Sequence, residues 1–327
     1  MIADNGRHVF VVGSGRSGTT LLSNLLHDAG VFAVYRAETK LMDDCPPVYG
    51  SLSSEGAYRR FMVDWLDSRQ FRRSGLDQEE FEAAIAGCRD SYPHMLAAFM
   101  AAVARKQDRQ QWIEDTPTCG FRLREIAREF PQARVIHMVR DGRAVALSMN
   151  QLGVTGVRAE NNRTGLLYSA LKWEIAVRAI ERDRHLLGDR FCELRFEDMV
   201  TEPAAAIARL GDFLGLEFDA DRIMQGQSNE QADAVANTAF GDVGSGISAT
   251  PAHRWKDQLS AMEVRILNGY IGDTLEKLRY PVEERDTGLA TRVVRHIRKL
   301  HLVGKRMLKQ HTPLGRFAHT PLEIGKS

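Results

Sequence analysis

From His8 to Val12 the chain carries a compact β-branched and aromatic run, the pattern of a strand buried on both faces. A glycine-rich turn follows, then apolar positions at helical spacing from Thr19 to Ala29, closed by Gly30. Val31 to Tyr35 reads as a second short strand that delivers Glu38 to the loop beyond it. Helical patterns cover Glu55–Phe71, Asp77–Cys88 and Pro93–Lys106, the last two opened by Asp77 and Pro93. A strand at Gln111–Ile113, a helix at Phe121–Phe130 and a strand at Arg134–Val139 come next, the last feeding a helix that begins near Asp141. Leu166–Leu187 is an amphipathic helix carrying Trp173, and Phe191–Leu194 a further strand. This alternation predicts an α/β fold with a largely parallel sheet covered on both faces.

Two segments break the pattern. Gln225–Ala252 is rich in Gly, Ser, Asn and Gln and predicts a long loop, a length often used for lids and binding loops. From Arg292 to Lys309, Val293, Ile297, Leu300, Val303 and Met307 recur at helical spacing among Arg295, Arg298, Lys299, Lys305 and Arg306. The formal net charge of +1 hides this tail: residues 287–327 hold nine of the 44 Lys and Arg but one of the 43 Asp and Glu, so the rest is acidic by seven charges. The tail suits either an anionic membrane surface or packing on the acidic body or a second subunit.

Composition otherwise fits a globular protein, 43% hydrophobic and 27% charged over 327 residues. No apolar leader precedes the first strand and no stretch reaches the length of a membrane span, so a cytoplasmic protein, at most membrane-associated, is expected. Cys45, Cys88, Cys119 and Cys192 are far apart and form no paired motif; free thiols and no metal site are expected. His137, inside an apolar strand, is expected to be structural.

The chemistry begins in Gly13-Ser-Gly-Arg-Ser-Gly-Thr-Thr20. Glycines at 13, 15 and 18 let backbone N–H groups converge with the helix N-terminus on a phosphate or sulfate. The Gly13 to Gly18 spacing is that of a P-loop, which predicts a P-loop-like three-layer sandwich. Thr19 stands at the P-loop Lys position, however, and Arg16 is the only cation inside the loop. Open parallel sheets bind ligands beyond their carboxyl ends, where Gly13–Thr20, Tyr35–Lys40, Glu114–Thr118 and Arg140–Ser148 should converge. Arg140 and Ser148, leaving a strand and two turns into a helix, can grip a second phosphate. Two anion grips suggest a ligand phosphorylated at both ends.

With these motifs in order, the chain resembles the sulfotransferases that use 3′-phosphoadenosine 5′-phosphosulfate. Gly15-Arg-Ser-Gly-Thr-Thr20 looks like the 5′-phosphosulfate loop in its Arg-bearing form, as in tyrosylprotein and many bacterial sulfotransferases. Arg140 and Ser148 match the Arg and Ser that hold the 3′-phosphate, and Arg254-Trp-Lys256 resembles a late basic motif near the cofactor phosphates. The resemblance spans roughly residues 9–260 and includes Glu114-Asp-Thr-Pro117 and Arg195-Phe-Glu-Asp-Met-Val200. It departs where Asp115 replaces a common Lys and Phe196 a common Tyr.

The resemblance implies in-line sulfuryl transfer without a metal ion. Arg16 would stabilise the sulfuryl and Glu38 would act as base, with Asp115 the second choice; Gly15, Arg16, Ser17, Gly18, Thr19, Thr20, Arg140, Ser148, Arg254 and Lys256 would hold the donor. The acceptor would be a hydroxyl or amine, expected on a carbohydrate, glycolipid, lipid-linked or other small molecule, with phenolic and peptidyl hydroxyls also open, and not nucleic acid. A P-loop kinase or NTPase using ATP and Mg²⁺ is the alternative, followed by a non-catalytic nucleotide-binding protein. The expected organisation is a catalytic domain over 1–286, with a helical insertion between strands, and a basic C-terminal helical extension over 287–327.

Overall fold

A computed structural model describes residues 7–85, 91–153, 162–226, 250–312 and Leu322. One sheet contains β1 (Val9–Gly13), β2 (Phe32–Val34), β3 (Gln111–Glu114), β4 (Arg134–Val139) and β5 (Phe191–Arg195). Their order is β2-β3-β1-β4-β5 and every pairing is parallel. The expected largely parallel sheet is therefore wholly parallel. All carboxyl ends share one edge, with β1 at the centre.

Alternation along β1 divides the interior. Val9 and Val11 join the Thr19–Asp28 helix, through Leu22, Leu25 and Leu26, and the Pro203–Leu214 helix, through Ile207 and Leu210. Phe10 and Val12 belong instead to the opposite core, with Phe99 of the Tyr92–Lys106 helix, Leu123 and Ile126 of Leu123–Glu129, and Ile180 of Asn162–Asp183. Phe10 meets Trp112 and Phe130 edge-on, at centroid distances of 5.6 and 5.0 Å. Trp173 anchors a third cluster beneath the Gly142–Gln151 and Ala261–Lys277 helices. Helices thus cover both faces, giving the expected three layers.

Boundaries move where local chemistry competes. The expected Glu55–Phe71 helix divides into Glu55–Leu66 and Arg69–Ser74, because Ser68 turns extended and its hydroxyl accepts from Phe71 N at 3.0 Å. The segment expected as Phe121–Phe130 runs as a tight turn of helix, Pro117–Arg122, before Leu123–Glu129. The helical insertion between β2 and β3 is present. Residues 227–249 of the expected long loop, and Cys88, lie outside the described residues. Cys45, Cys119 and Cys192 are free thiols, as expected. His137 is fully buried, with Nδ1 3.4 Å from Glu193 Oε2; that contact holds the Glu193 carboxyl below its ordinary range.

The basic C-terminal segment is a single helix, Leu289–His311. Its Arg295 and Lys299 reach Glu174 on the Asn162–Asp183 helix, and its Arg306 reaches Asp43. Among the described residues no helix is long and apolar enough to cross a membrane.

Candidate active site at the carboxyl edge of the sheet

The loop after β1 is built by close approach. A Cβ on Gly13 would lie 2.7 Å from the Met138 carbonyl oxygen, so the β1–β4 pairing demands glycine there. Gly18 sits at φ 97°, and a Cβ on it would come within 2.5 Å of the Phe196 ring. Arg16 itself takes a left-handed backbone, φ 70°, a conformation costly to any residue with a Cβ. The turn is closed by Ser17 N donating to Ser14 O at 3.1 Å. No side chain caps the Thr19–Asp28 helix, whose N-cap is Gly18, so its first N–H groups face the loop. Ser17 Oγ is buried with no hydrogen-bond partner. The loop fits an anion: a glycine cradle, inward helix donors and an orphaned hydroxyl.

β4 supplies the second half of the site. Arg140 Nη1 donates to the Arg16 carbonyl at 2.9 Å and so holds the strained turn. Its guanidinium lies 4.3 Å from the centre of the Phe196 ring. Burial brings its pKa down to about 10, against the pull of Glu197. Trp173 Nε1 donates to the Arg140 carbonyl at 3.1 Å, while Glu197 accepts from Asp141 N at 2.9 Å and from Tyr280 OH at 2.8 Å. Asp141 then caps the next helix by accepting from Arg143 N at 2.9 Å. That helix carries Ser148, whose Oγ accepts from Arg16 Nε at 3.2 Å. The two predicted grips are in direct contact. Burial also lowers the Arg16 pKa.

β2 and β3 contribute carboxyl groups. Glu114 is buried, and its Oε1 accepts from Thr116 N at 3.0 Å and from Thr39 Oγ1 at 3.2 Å. Thr39 N in turn donates to Thr116 Oγ1 at 3.0 Å. The loop bearing Glu38 is thereby tied to the loop bearing Asp115. Burial pushes Glu114 up to about 8 and Asp115 up to about 7. For Asp115 the nearby Ser23 hydroxyl opposes the rise, and the negative charge of Glu38 adds to it. Glu38 is exposed at the rim. Two carboxylates with different surroundings thus influence each other electrostatically, a pattern common at catalytic sites.

Thr19 is buried and Thr20 exposed. Arg254 and Lys256 are exposed; their segment packs beside the Ser148 helix, where Gln151 Nε2 donates to Gln258 Oε1 at 2.8 Å and Arg143 lies over the Trp255 ring at 4.0 Å. Sequence reasoning missed the clamp made by Glu114, Thr39 and Thr116 and the platform made by Phe196. A signal for the second existed in the ring that Phe196 keeps where a Tyr is common; in the structure that ring stands against Gly18.

A model of the sulfotransferase family matches residues 8–220. A putative protein-tyrosine sulfotransferase of Caenorhabditis briggsae is 25% identical over 222 residues, 67% of this chain and 69% of that protein. The omega-hydroxy-beta-dihydromenaquinone-9 sulfotransferase of Mycobacterium tuberculosis (strain CDC 1551 / Oshkosh) is 32% identical over 114 residues, 33% of this chain and 29% of that protein. Among solved structures, the sulfotransferase domain of the Synechococcus PCC 7002 olefin synthase shares the fold, with a TM-score of 0.56 at 19% identity over 84% of this chain and 95% of that one.

Proposed function

The chain belongs to the family of sulfotransferases and is a transferase, and we propose that it moves a sulfuryl group from 3′-phosphoadenosine 5′-phosphosulfate to an acceptor hydroxyl. The observation that carries this reading is the contact between Arg16 and Ser148, with Arg140 holding the Arg16 carbonyl. Thr19 stands where a P-loop kinase would place its lysine, and the cation inside the loop is instead the Arg16 guanidinium, coupled to a second anion grip.

Transfer is in line: the acceptor oxygen–sulfur bond forms as the sulfur–oxygen bond to the 5′-phosphate breaks. Arg16 and the N–H groups at the start of the Thr19–Asp28 helix meet the charge that develops on the sulfuryl and bridging oxygens. Gly15, Ser17, Gly18, Thr19 and Thr20 supply the cradle, Arg140 and Ser148 hold the 3′-phosphate, and Arg254 and Lys256 add positive charge at the outer side. The acceptor proton passes to Glu38, which stands at the solvent rim where acceptors enter; Asp115 is the alternative base. The named relatives act on tyrosine and on an omega-hydroxy quinone derivative, which supports a hydroxyl acceptor. Within that chemistry, a carbohydrate, lipid-linked or other small-molecule alcohol is the proposed class.

Calorimetry with adenosine 3′,5′-bisphosphate against ATP plus Mg²⁺ tests the donor. Preference for ATP would replace this reading with a kinase, and bisphosphate binding without transfer of labelled sulfur to any acceptor in a broad alcohol screen would leave a binding protein.

A further inference from the structure

The Leu289–His311 helix turns its charged side toward the body and its apolar side away from it. Inward, Arg295 Nη2 and Lys299 Nζ donate to Glu174 at 2.9 and 2.8 Å, Arg306 Nη2 donates to Asp43 at 2.7 Å, and Lys309 Nζ stands 3.6 Å from Asp44. Arg306 also lies over the Phe121 ring, 3.6 Å from its centre. Outward, Leu289 is 75% exposed, Val293 47%, Ile297 61%, Leu300 58% and Met307 52%. These positions follow helical spacing and form one stripe. A surface helix ordinarily does the reverse, so a continuous apolar stripe facing water is a contact surface.

Charge decides what it contacts. The helix has no Asp or Glu, and it carries seven Lys and Arg. Among the described residues its inward carboxyl partners, Glu174, Asp43 and Asp44, are fewer than its seven cations: Glu174 already pairs with Arg178 at 3.1 Å and so serves three cations, and Asp43 is shared with Arg122 at 3.0 Å. Arg292 and Lys305 are exposed. Crowding of positive charge is felt across the interface, where Lys305 adds to the burial that lowers the Lys172 pKa. A second copy laid along the stripe would bring seven further cations against these.

We propose that this stripe seats on an anionic lipid surface, with Leu289, Val293, Ile297, Leu300 and Met307 entering the interface and the positive charge that the helix leaves unneutralised drawing it to lipid phosphates. The docking is independent of the chemistry at the sheet edge, so it stands or falls separately from sulfuryl transfer.

The test uses the full chain in co-sedimentation with vesicles of phosphatidylcholine alone and of phosphatidylcholine with phosphatidylglycerol in about equal parts. Binding is expected to the anionic vesicles only. The double variant Ile297→Glu with Leu300→Glu is expected to lose at least ~10-fold in vesicle affinity while keeping its melting temperature and its affinity for adenosine bisphosphate. Equal binding to both vesicle types, or undiminished binding of the double variant, overturns the proposal. So does a wild-type dimer in size-exclusion chromatography that the double variant converts to monomer, because the stripe would then belong to a second copy.

Discussion

Arg16 and Ser148, 132 residues apart in the chain, are joined by a hydrogen bond of 3.2 Å from the guanidinium Nε to the hydroxyl oxygen. In the proposed reaction, donor binding and transition-state stabilisation would share this contact. Arg16→Ala is expected to lower kcat/KM by about 10²- to 10³-fold, the scale for losing one preorganised donor. Ser148→Ala, which also removes one hydrogen bond of the Arg16 side chain, should weaken adenosine bisphosphate binding by roughly tenfold, or about 1.4 kcal/mol, in titration calorimetry. Unchanged binding would remove Ser148 from the donor site.

Glu38 and Asp115 give a pair of outcomes separable by pH. Glu38→Gln is expected to cut turnover by about 10²- to 10⁴-fold while sparing donor affinity. The same substitution removes a negative charge that helps push Asp115 to about 7, so the Asp115 pKa should fall. Carboxyl titration by NMR in the two proteins checks this. Wild-type turnover in Glu38→Gln would pass the role of base to Asp115.

Glu114 carries a stability signature. Its pKa of about 8 in the folded chain compares with an ordinary value of 4.5, so between these values the folded state keeps a proton that the unfolded state has shed. Stability contributed by this group is full below the lower value and is lost as pH rises through the upper one. Glu114→Gln keeps the neutral acceptor for Thr39 and Thr116, so it should match wild type near pH 5 and melt higher near pH 8. Glu114→Ala, which leaves those donors unpartnered, should cost about 1–3 kcal/mol near pH 5, and that deficit should shrink or reverse near pH 8, where the wild type has lost this group's contribution. Thermal melts at both pH values test the pair.

Two loop glycines should respond differently to one methyl group. Gly18→Ala places a Cβ 2.5 Å from Phe196 at φ 97° and is expected to cost about 1–3 kcal/mol. Gly15→Ala meets only Met149 Cε at 3.5 Å and should be close to neutral for stability. Denaturant unfolding of the two variants checks the difference.

The parts legible in sequence were local. β1, its glycine loop and the following helix are contiguous, and their hydrophobic spacing and turn chemistry specify them without outside help. Arg140 and Ser148 could be paired because a helix fixes their separation over two turns. The Glu114 clamp could not be read that way, since Thr39 is 75 residues away and only the strand order β2-β3 brings it near. Nor could amphipathicity alone say which side of the last helix faces inward; Glu174 and Asp43, on distant elements, make that choice. Ser68 shows the opposite failure, a local cap overriding a continuous helical pattern.

Asp43 lies just beyond the Glu38 loop, and its partners Arg306 and Gln310 are 263 and 267 residues further along the chain. During synthesis the sheet, its glycine loop and Arg122, which also pairs with Asp43, emerge well before those partners. Contacts this distant in sequence form late. The Leu289–His311 helix is thus a late brace: the loop after β1 can form without it, and the stretch past Glu38 gains its Arg306 and Gln310 contacts only when that helix docks.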